Sequence, residues 1–253
     1  MPEGPEISFM AYEFNKKFKN TTLTHIRILS GRYTRHPHPL KLDELNKNLP
    51  SKIEGIFNKG KFIYLKLKDN YDVGIKLNYG HLVTHDGKHS NIEFNTSKDS
   101  FYIEDMRNFG TLTILDDLQL EKELLKIGPD LIHENVSFEE YNEVLNKHPK
   151  LKIGQYLIEQ KYFSGVGNYI RAEVCYEAKI SPFRLVKDLT LDERKNLFKQ
   201  LIKVIHKAYE LLLKDKKYHM KVYKKKETPL GEKVISQRLE KNRNIYWVPS
   251  VQK

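Results

Sequence analysis

The hydrophobic period of the chain changes near its middle, and this change limits the fold more than any other feature. From Thr21 to about Leu115, short β-type runs are separated by turn signals such as Asp86-Gly87. After Leu115, apolar residues recur at helical spacing. A series of short strands favours a β-sandwich or barrel, and a separate helical half makes the fold class α+β. Examples of the predicted strands are residues 23–28, 62–67, 72–77, 100–103 and 111–115.

Helical signals lie on both sides of the β-region. Before it, residues 5–18 place apolar side chains on one face of a helix. Beyond it, Ser137-x-x-Glu140 and Thr190-x-x-Glu193 are capping boxes, which predict the first turns of two helices. The other predicted helices are residues 150–161 and 169–178.

A glycine-rich turn, Gly165-Val166-Gly167-Asn168, leads into one of these helices. Free backbone N–H groups at such a position bind anions, so the turn is a candidate phosphate cradle. Asn168 would either cap the helix or donate to the phosphate. The alternative is a plain turn between two helices.

The amino-terminal residues Met1 to Glu6 combine a possible nucleophile with two carboxylates. If Met1 is removed, Pro2 becomes a secondary amine that is partly neutral at pH 7. Amines of this kind attack sugar or carbonyl carbons and form imines. Glu3 and Glu6 would serve as acid or base. The alternative is that Gly4-Pro5 only starts a helix.

The composition restricts the partner and the compartment. A net charge of +11 favours a polyanion, most often nucleic acid, although a lysine-rich proteome would produce the same excess. The single cysteine, Cys175, excludes an internal disulfide and a zinc site built from several cysteines. No stretch is apolar enough to span a membrane and no leader precedes the fold, so we expect a soluble intracellular protein.

Two features of the β-region are candidates for function. Strand alternation puts Lys61 at the end of a core-facing row, where it is either functional or extends to water from the strand end. The loop from Asp105 to Gly110 carries a planar cation, Arg107, and an aromatic wedge, Phe109. Proteins that extrude a base fill the gap with such side chains. The alternative is an ordinary turn, with Phe109 under the sheet and Arg107 paired with Asp105.

The tail is basic and then β-like. Residues 214–226 are rich in lysine with interleaved tyrosines, a composition that suits a phosphate backbone. Residues 233–235 and 244–248 are predicted to form a hairpin with Arg243 at or near its tip. The alternative is a solvated basic end.

Together, these motifs resemble the formamidopyrimidine-DNA glycosylase / endonuclease VIII family of base-excision repair enzymes over essentially the whole chain. The motifs that carry the resemblance are Met1–Glu6, Gly60-Lys61, Asp105–Gly110, Ile127–Asp130, Gly165–Asn168 and residues 242–253.

The resemblance implies a fold and a division into domains. An amino-terminal helix and a two-layer antiparallel β-sandwich would form the catalytic domain, residues 1–118. Residues 119–220 would form a helical DNA-binding domain with a helix–two-turns–helix motif. Residues 221–253 would form a β-hairpin finger.

The resemblance also assigns roles to individual residues. Pro2 matches the nucleophile that attacks C1′ of the damaged nucleotide, and Glu3 matches the acid that protonates the opening sugar. Lys61 matches a lysine that contacts phosphate and assists catalysis. Arg243 matches the finger arginine, which grips phosphate and takes part in strand cleavage. The remaining implied DNA-binding residues are Tyr79, Arg107 and Phe109, which would enter the gap left by the flipped base, and His89, Lys150 and Asn168.

The tail departs from the pattern of many family members, which carry four cysteines in a zinc finger. Trp247 and Val251 stand where the last two would fall, so the chain resembles the zincless-finger branch and we expect no metal and no cofactor. The interval between the long helix and Val222-Tyr223 is short. It leaves no room for the longer loop that closes over 8-oxoguanine, which favours oxidised pyrimidines and hydantoins as substrates.

The implied function is a bifunctional DNA glycosylase/AP lyase that forms a Schiff base on Pro2 and then carries out β,δ-elimination. One alternative is a glycosylase of the same family that prefers 8-oxoguanine and formamidopyrimidine. The other is a non-catalytic protein that binds damaged DNA. We expect a monomer whose partner is double-stranded DNA with oxidised bases or abasic sites. We expect it in the cytoplasm, at the nucleoid of a bacterium or in the nucleus of a eukaryote.

Overall fold

The computed structural model describes residues 1–69, 71–240 and 243–253. Asn242, the first residue of the carboxy-terminal motif, lies outside these ranges. The chain forms two compact units. The first comprises Met1–Pro2 and Glu6–Lys126, and the second comprises Glu3–Pro5 and Ile127–Lys253.

In its described residues, the first unit contains three α-helices, a short 3-10 helix at Gly31–Thr34 and eight antiparallel strands, as predicted for an α+β fold. Its elements are α1 Gly4–Phe18, β1 Thr22–Ile28, α2 Leu42–Asn48, β2 Ser51–Lys59, β3 Phe62–Leu67, β4 Asp72–Lys76, β5 His81–Val83, β6 Ser90–Thr96, β7 Ser100–Glu104, β8 Thr111–Leu115 and α3 Asp117–Leu125. Because α3 packs against β4 and β8, this unit continues beyond residue 118 to Lys126.

The strands follow the order β5-β7-β6-β1-β2-β3-β4-β8. Only two residue pairs, Thr22 with Lys52 and Leu23 with Ser51, join β1 to β2. The four strands on each side of this narrow junction contribute to one hydrophobic core. Helix α1 adds Phe14 and Phe18, which both pack on Phe101 of β7. The sheet is therefore continuous in its hydrogen bonding, while its two halves share one buried interior.

Strands β2, β5 and β6 lie within the predicted β-region but are not among the examples that the sequence pattern indicated. Strand β6 contains five polar side chains among its seven residues and β5 has only three residues, so neither carries a long β-type run. Strand β2 contains Gly55, a residue that weakens a strand. Pairing with neighbouring strands, rather than propensity, decides these three.

Where the structure describes it, the second unit contains four α-helices, a short 3-10 helix at Val186–Asp188 and two paired strands. Its elements are α4 Phe138–Asn146, α5 Ile153–Tyr156, α6 Asn168–Glu177, α7 Leu191–Leu213, β9 Ile235–Glu240 and β10 Arg243–Trp247. Both predicted capping boxes are present, with Ser137 and Thr190 accepting from the backbone N–H groups of Glu140 and Glu193.

Helix α5 is much shorter than the predicted helix over residues 150–161. Its first amides bond to a neighbouring loop, Ile153 N–H to Arg184 O and Gly154 N–H to Pro182 O. Beyond α5, the Gln160 side chain donates to the carbonyls of Ile158 and Val166 and replaces the helical ladder. These tertiary hydrogen bonds override the helical period of the sequence.

The finger hairpin, β9–β10, begins two residues later than predicted. Glu227 and Lys233 form a separate bridge, and Val234 N–H bonds to Lys226 O. Residues 233–234 therefore bond to residues 226–227, upstream of the hairpin, and β9 starts at Ile235. Arg243 is the first residue of β10 and pairs with Glu240, so it lies at the end of the two paired strands.

Within the described ranges, no helix is long and apolar enough to cross a membrane. These ranges contain no group of three or more His, Cys, Asp and Glu side chains that could hold a metal ion.

Candidate active site

Glu3 lies at the amino-terminal end of helix α6. Its side chain is buried, at 3% exposure, and its carboxylate accepts from Tyr169 N–H at 2.8 Å and from Ile170 N–H at 3.2 Å. The N-cap residue of α6 is Gly167, which has no side chain to satisfy these donors. Glu3 therefore caps a helix that begins more than 160 residues later in the chain. The partial positive charge of the helix end stabilises its negative charge.

Glycines in the turn before α6 make room for this contact. A side chain on Gly167 would overlap the carboxylate carbon of Glu3. Gly4 N–H donates to Gly165 O at 2.7 Å, and a Cβ on Gly4 would come within 2.9 Å of Gly165 Cα. The turn thus holds the backbone after Glu3 as well as its side chain.

The turn predicted as a phosphate cradle holds a different anion in the structure. The backbone N–H groups at the start of α6 are taken up by the Glu3 carboxylate. Asn168 is the first residue of α6 and is half-buried, but it is not the cap. Of its two predicted roles, donation to a phosphate is the one that remains.

Pro2, the predicted nucleophile, directly precedes Glu3 and is buried. Met1 precedes Pro2 in the chain, so the Pro2 nitrogen is part of a peptide bond. The nitrogen becomes an amine only when Met1 is removed.

Cys175 is not a rival nucleophile, because complete burial raises the pKa of its thiol to about 12.

Lys61 lies in the two-residue turn between β2 and β3, rather than in the core-facing row of a strand. Gly60, the other turn residue, has φ +56°, a conformation that glycine adopts without strain. The Asn58 side chain donates to Gly60 O at 3.2 Å and to Ser8 Oγ of α1 at 2.9 Å. The turn is therefore tied to helix α1, and Lys61 is half-buried there.

The three predicted gap-filling side chains lie together in the first unit. The Arg107 guanidinium stacks over the Tyr79 ring at 4.3 Å, and the rings of Tyr79 and Phe109 are 6.0 Å apart. The Asn78 side chain donates to Phe109 O at 2.7 Å and joins the two turns. Phe109 is 53% exposed, so the alternative in which it packs under the sheet is wrong. We call Tyr79, Arg107 and Phe109 the wedge cluster.

A buried polar network supports the loop of this cluster. The Asp105 side chain accepts from the backbone N–H groups of Arg107 at 3.0 Å and Gly110 at 2.6 Å. Asn91 accepts from Asp105 N–H at 2.8 Å and donates to Asn108 Oδ1 at 2.7 Å. Sequence reasoning missed Asn91. Aspartate and asparagine commonly bond to nearby turn backbone, but this partner is 14 residues away.

The other predicted DNA-binding residues are divided between the two units. His89 is half-buried in the turn before β6, and its carbonyl accepts from Asp105 N–H at 3.0 Å. It therefore lies beside the wedge-cluster loop. Lys150 is exposed in the turn after α4, and Arg243 is exposed at the start of β10.

Two buried charged residues of α6, Arg171 and Glu173, were also missed. The sequence feature that could have revealed them is the presence of two charged residues among the apolar residues of one helix. Charged side chains are almost never fully buried without partners.

Family models match nearly the whole chain. Those for the formamidopyrimidine-DNA glycosylase N-terminal domain, H2TH domain and C-terminal domain match residues 1–112, 127–219 and 209–253. A formamidopyrimidine-DNA glycosylase of Pelotomaculum thermopropionicum is 26% identical over 83% of this chain and 78% of its own length. An endonuclease 8-like protein of Acanthamoeba polyphaga mimivirus is 32% identical over 43% of this chain and 42% of its own length.

Solved structures share the fold. The complex of Lactococcus lactis Fpg with DNA containing an abasic site superposes with a TM-score of 0.84, at 24% identity, over 99% of both chains. MutM in complex with DNA containing carbocyclic 8-oxo-G superposes with a TM-score of 0.85, at 24% identity, over 100% of both chains.

Proposed function

Because this chain belongs to the formamidopyrimidine-DNA glycosylase / endonuclease VIII family, we propose that it excises oxidised bases from duplex DNA and then cleaves the strand. The observation that carries the proposal is the buried Glu3 carboxylate, held on α6 directly after the potential amine of Pro2. An amine can attack a sugar carbon to form an imine, and a fixed carboxylate beside it can transfer the protons that this reaction requires.

The proposed reaction begins with the free Pro2 amine. Its nitrogen lone pair forms a bond to C1′, the bond from C1′ to the damaged base breaks, and the base leaves with the bonding electron pair and takes a proton from water. The proton lost from the nitrogen passes to Glu3, which returns it to O4′ as the bond between C1′ and O4′ opens. The product is an iminium ion, the cationic form of an imine, between Pro2 and the ring-opened sugar.

The imine makes both phosphates leaving groups. Loss of a C2′ proton expels the 3′ phosphate by β-elimination, and a second elimination expels the 5′ phosphate. In this proposal, Lys61 and Arg243 are the cations that contact phosphate, and His89, Lys150 and Asn168 are further DNA contacts. Lysine, arginine and asparagine are common donors to phosphate oxygens.

The wedge cluster would fill the gap that an extruded base leaves. Its flat, exposed rings and guanidinium suit stacking between bases, which is worth about 1–3 kcal/mol per base. The polar network below it keeps the loop in place without help from DNA.

Replacing Arg107 by alanine should slow base excision from a duplex by about tenfold to a hundredfold, the loss expected when one stacked contact is removed. The effect should be smaller when the damaged base lies in an unpaired bubble, because no base pair has to be broken there. Single-turnover rates on matched duplex and bubble substrates measure both effects.

Two variants of the same region control this experiment. Tyr79→Phe keeps the ring under the guanidinium and should behave like the wild type. Met106→Ala changes a neighbouring exposed side chain outside the cluster. Equal loss on duplex and bubble substrates would show that Arg107 does not act in the gap.

The lesion preference rests on the segment after α7. This helix ends at Leu213, and the backbone of residues 221–223 is already bound to Glu173. Only seven residues separate the two points, which is too few for a long loop that closes over a base. This favours oxidised pyrimidines and hydantoins. The names of several relatives favour formamidopyrimidine instead.

A substrate panel tests the proposed function. We expect cleavage of thymine-glycol duplexes to exceed that of 8-oxoguanine duplexes by about tenfold, a typical discrimination for one binding pocket. The reverse order would favour the purine-preferring alternative. Binding without cleavage of either lesion, or of an abasic duplex, would favour a non-catalytic damaged-DNA-binding protein.

A further inference from the structure

Helix α6 carries two charged side chains, Arg171 and Glu173, that are fully buried at 0% exposure. A buried charge is costly unless hydrogen bonds compensate for its lost hydration. Residues two apart on a helix point in different directions, so each of the two needs its own partners. Each of the two has a partner in the carboxy-terminal part of the chain, and Arg171 also binds α5.

Glu173 binds the backbone just before the finger hairpin. Its carboxylate accepts from the N–H groups of Lys221 at 2.8 Å, Val222 at 3.0 Å and Tyr223 at 2.9 Å. Burial raises the pKa of Glu173, whereas these three donors act in the opposite direction. Three donors to one carboxylate hold this segment in a single arrangement. Its Tyr223 ring packs edge-on against Tyr246 of β10 at 5.3 Å.

Arg171 binds the finger hairpin itself. Its Nη1 donates to Gly154 O of α5 at 3.0 Å, and its Nη2 donates to Asn244 O of β10 at 3.4 Å. Gly154 lets the hairpin approach closely, because a Cβ there would come within 2.6 Å of Leu239 Cδ2. The guanidinium thus joins α5, α6 and β10.

These contacts connect the hairpin to the residues of the proposed reaction. Asn244 directly follows Arg243, the proposed phosphate-gripping residue. On the same helix, the amide of Tyr169, two residues before Arg171, binds Glu3. Helix α6 therefore supports Glu3 at its first turn and the hairpin at its second.

A zinc centre does not fit this hairpin. The chain has one cysteine, Cys175, which is buried in α6. Packing supplies part of the support, with Trp247 against Phe183 at 5.2 Å and Gln252 accepting from Val248 N–H at 2.6 Å. These contacts lie at the far end of β10 from Arg243.

We propose that Arg171 and Glu173 are positioning residues that fix the finger hairpin, and with it Arg243, to the helix that holds Glu3. Two buried charged side chains, rather than a set of cysteine ligands, hold the hairpin here. The functional part of this inference rests on the proposed function, because its effect is measured on strand cleavage.

The test compares Arg171→Met with Arg171→Lys and Glu173→Gln. Methionine removes both donors, and δ-elimination should fall by about tenfold to a hundredfold, the range expected for lost hydrogen bonds from a charged group. Trapping of the Pro2 imine by borohydride on an abasic duplex should fall much less. Lysine reaches one carbonyl and should restore part of the loss. Lys199→Met, an exposed charge on α7, is the matched control.

Amide hydrogen exchange on the DNA-free protein tests the anchor independently of activity. Protection of the β10 amides should drop in the Arg171 and Glu173 variants, while protection of the α6 amides is retained. If Arg171→Met does not fold, Arg171→Lys and Glu173→Gln carry the same comparison. Zinc chelation should leave the wild-type values unchanged.

Three outcomes would overturn the proposal: unchanged product ratios, unchanged β10 protection, or a parallel loss of trapping and elimination. The last would show a general loss of folding rather than positioning. Wild-type protein that neither traps nor cleaves would instead contradict the proposed function, and the exchange experiment would still decide whether these residues anchor the hairpin.

Discussion

Protein with a free Pro2 amine should form a borohydride-stable adduct with an abasic duplex, and protein that retains Met1 should form none. The amide nitrogen of a retained Met1-Pro2 bond has no nucleophilic lone pair. Loss of a catalytic nucleophile lowers the rate by on the order of a thousandfold or more. Intact-mass measurement establishes which form is present, and electrophoresis of the reduced mixture measures the adduct.

A chain extended by a removable segment before Pro2 provides the matched comparison. The extended form should bind abasic DNA but leave it uncleaved, and removal of the segment should restore cleavage in the same sample. An equally abundant adduct with the extended form would assign the imine to a lysine and would contradict the role of Pro2.

Glu3→Gln should separate the two halves of the reaction. Glutamine keeps an oxygen acceptor at the start of α6 but has neither the negative charge nor the transferable proton. We expect base excision to fall by about 10²–10⁴-fold, the usual contribution of general acid–base catalysis. Cleavage at a pre-formed abasic site should fall less, because its sugar opens without an enzyme. Single-turnover rates on damaged-base and abasic duplexes measure the difference.

Two further variants test the structural basis of this expectation. Gly167→Ala leaves the Glu3 side chain unaltered but places a methyl group against its carboxylate carbon, so it should also slow excision. Glu13→Gln removes an exposed carboxylate from α1 and should have no effect. Excision by Glu3→Gln at the wild-type rate would exclude Glu3 as the acid.

Features that depend on neighbouring residues were predictable from the sequence. The capping boxes of α4 and α7 each involve residues three apart, so their hydrogen bonds follow from local spacing. Strands such as β3 and β8 carry enough β-branched and aromatic residues to be recognised alone. The motif order also indicated the family, which the family models confirm.

Features that depend on distant residues were not predictable. The free N–H groups at the start of α6 were expected from the glycine-rich turn, but their anion is Glu3, more than 160 residues away. Arg171 and Glu173 gave no local sign of their partners on β10 and at residues 221–223. Likewise, Lys61 does not lie in the predicted row of strand residues, because Gly60 adopts a positive φ and Lys61 is the second residue of the turn.

The sequence by itself determined the α+β class, the order of the motifs and the chemical types in the candidate site. Only the tertiary structure decided which helix end stabilises Glu3, which ring lies under Arg107, and what fixes a hairpin without cysteines. The physical reason is range: periodicity and caps act over three or four residues, whereas buried hydrogen bonds are set by where the folded chain returns on itself.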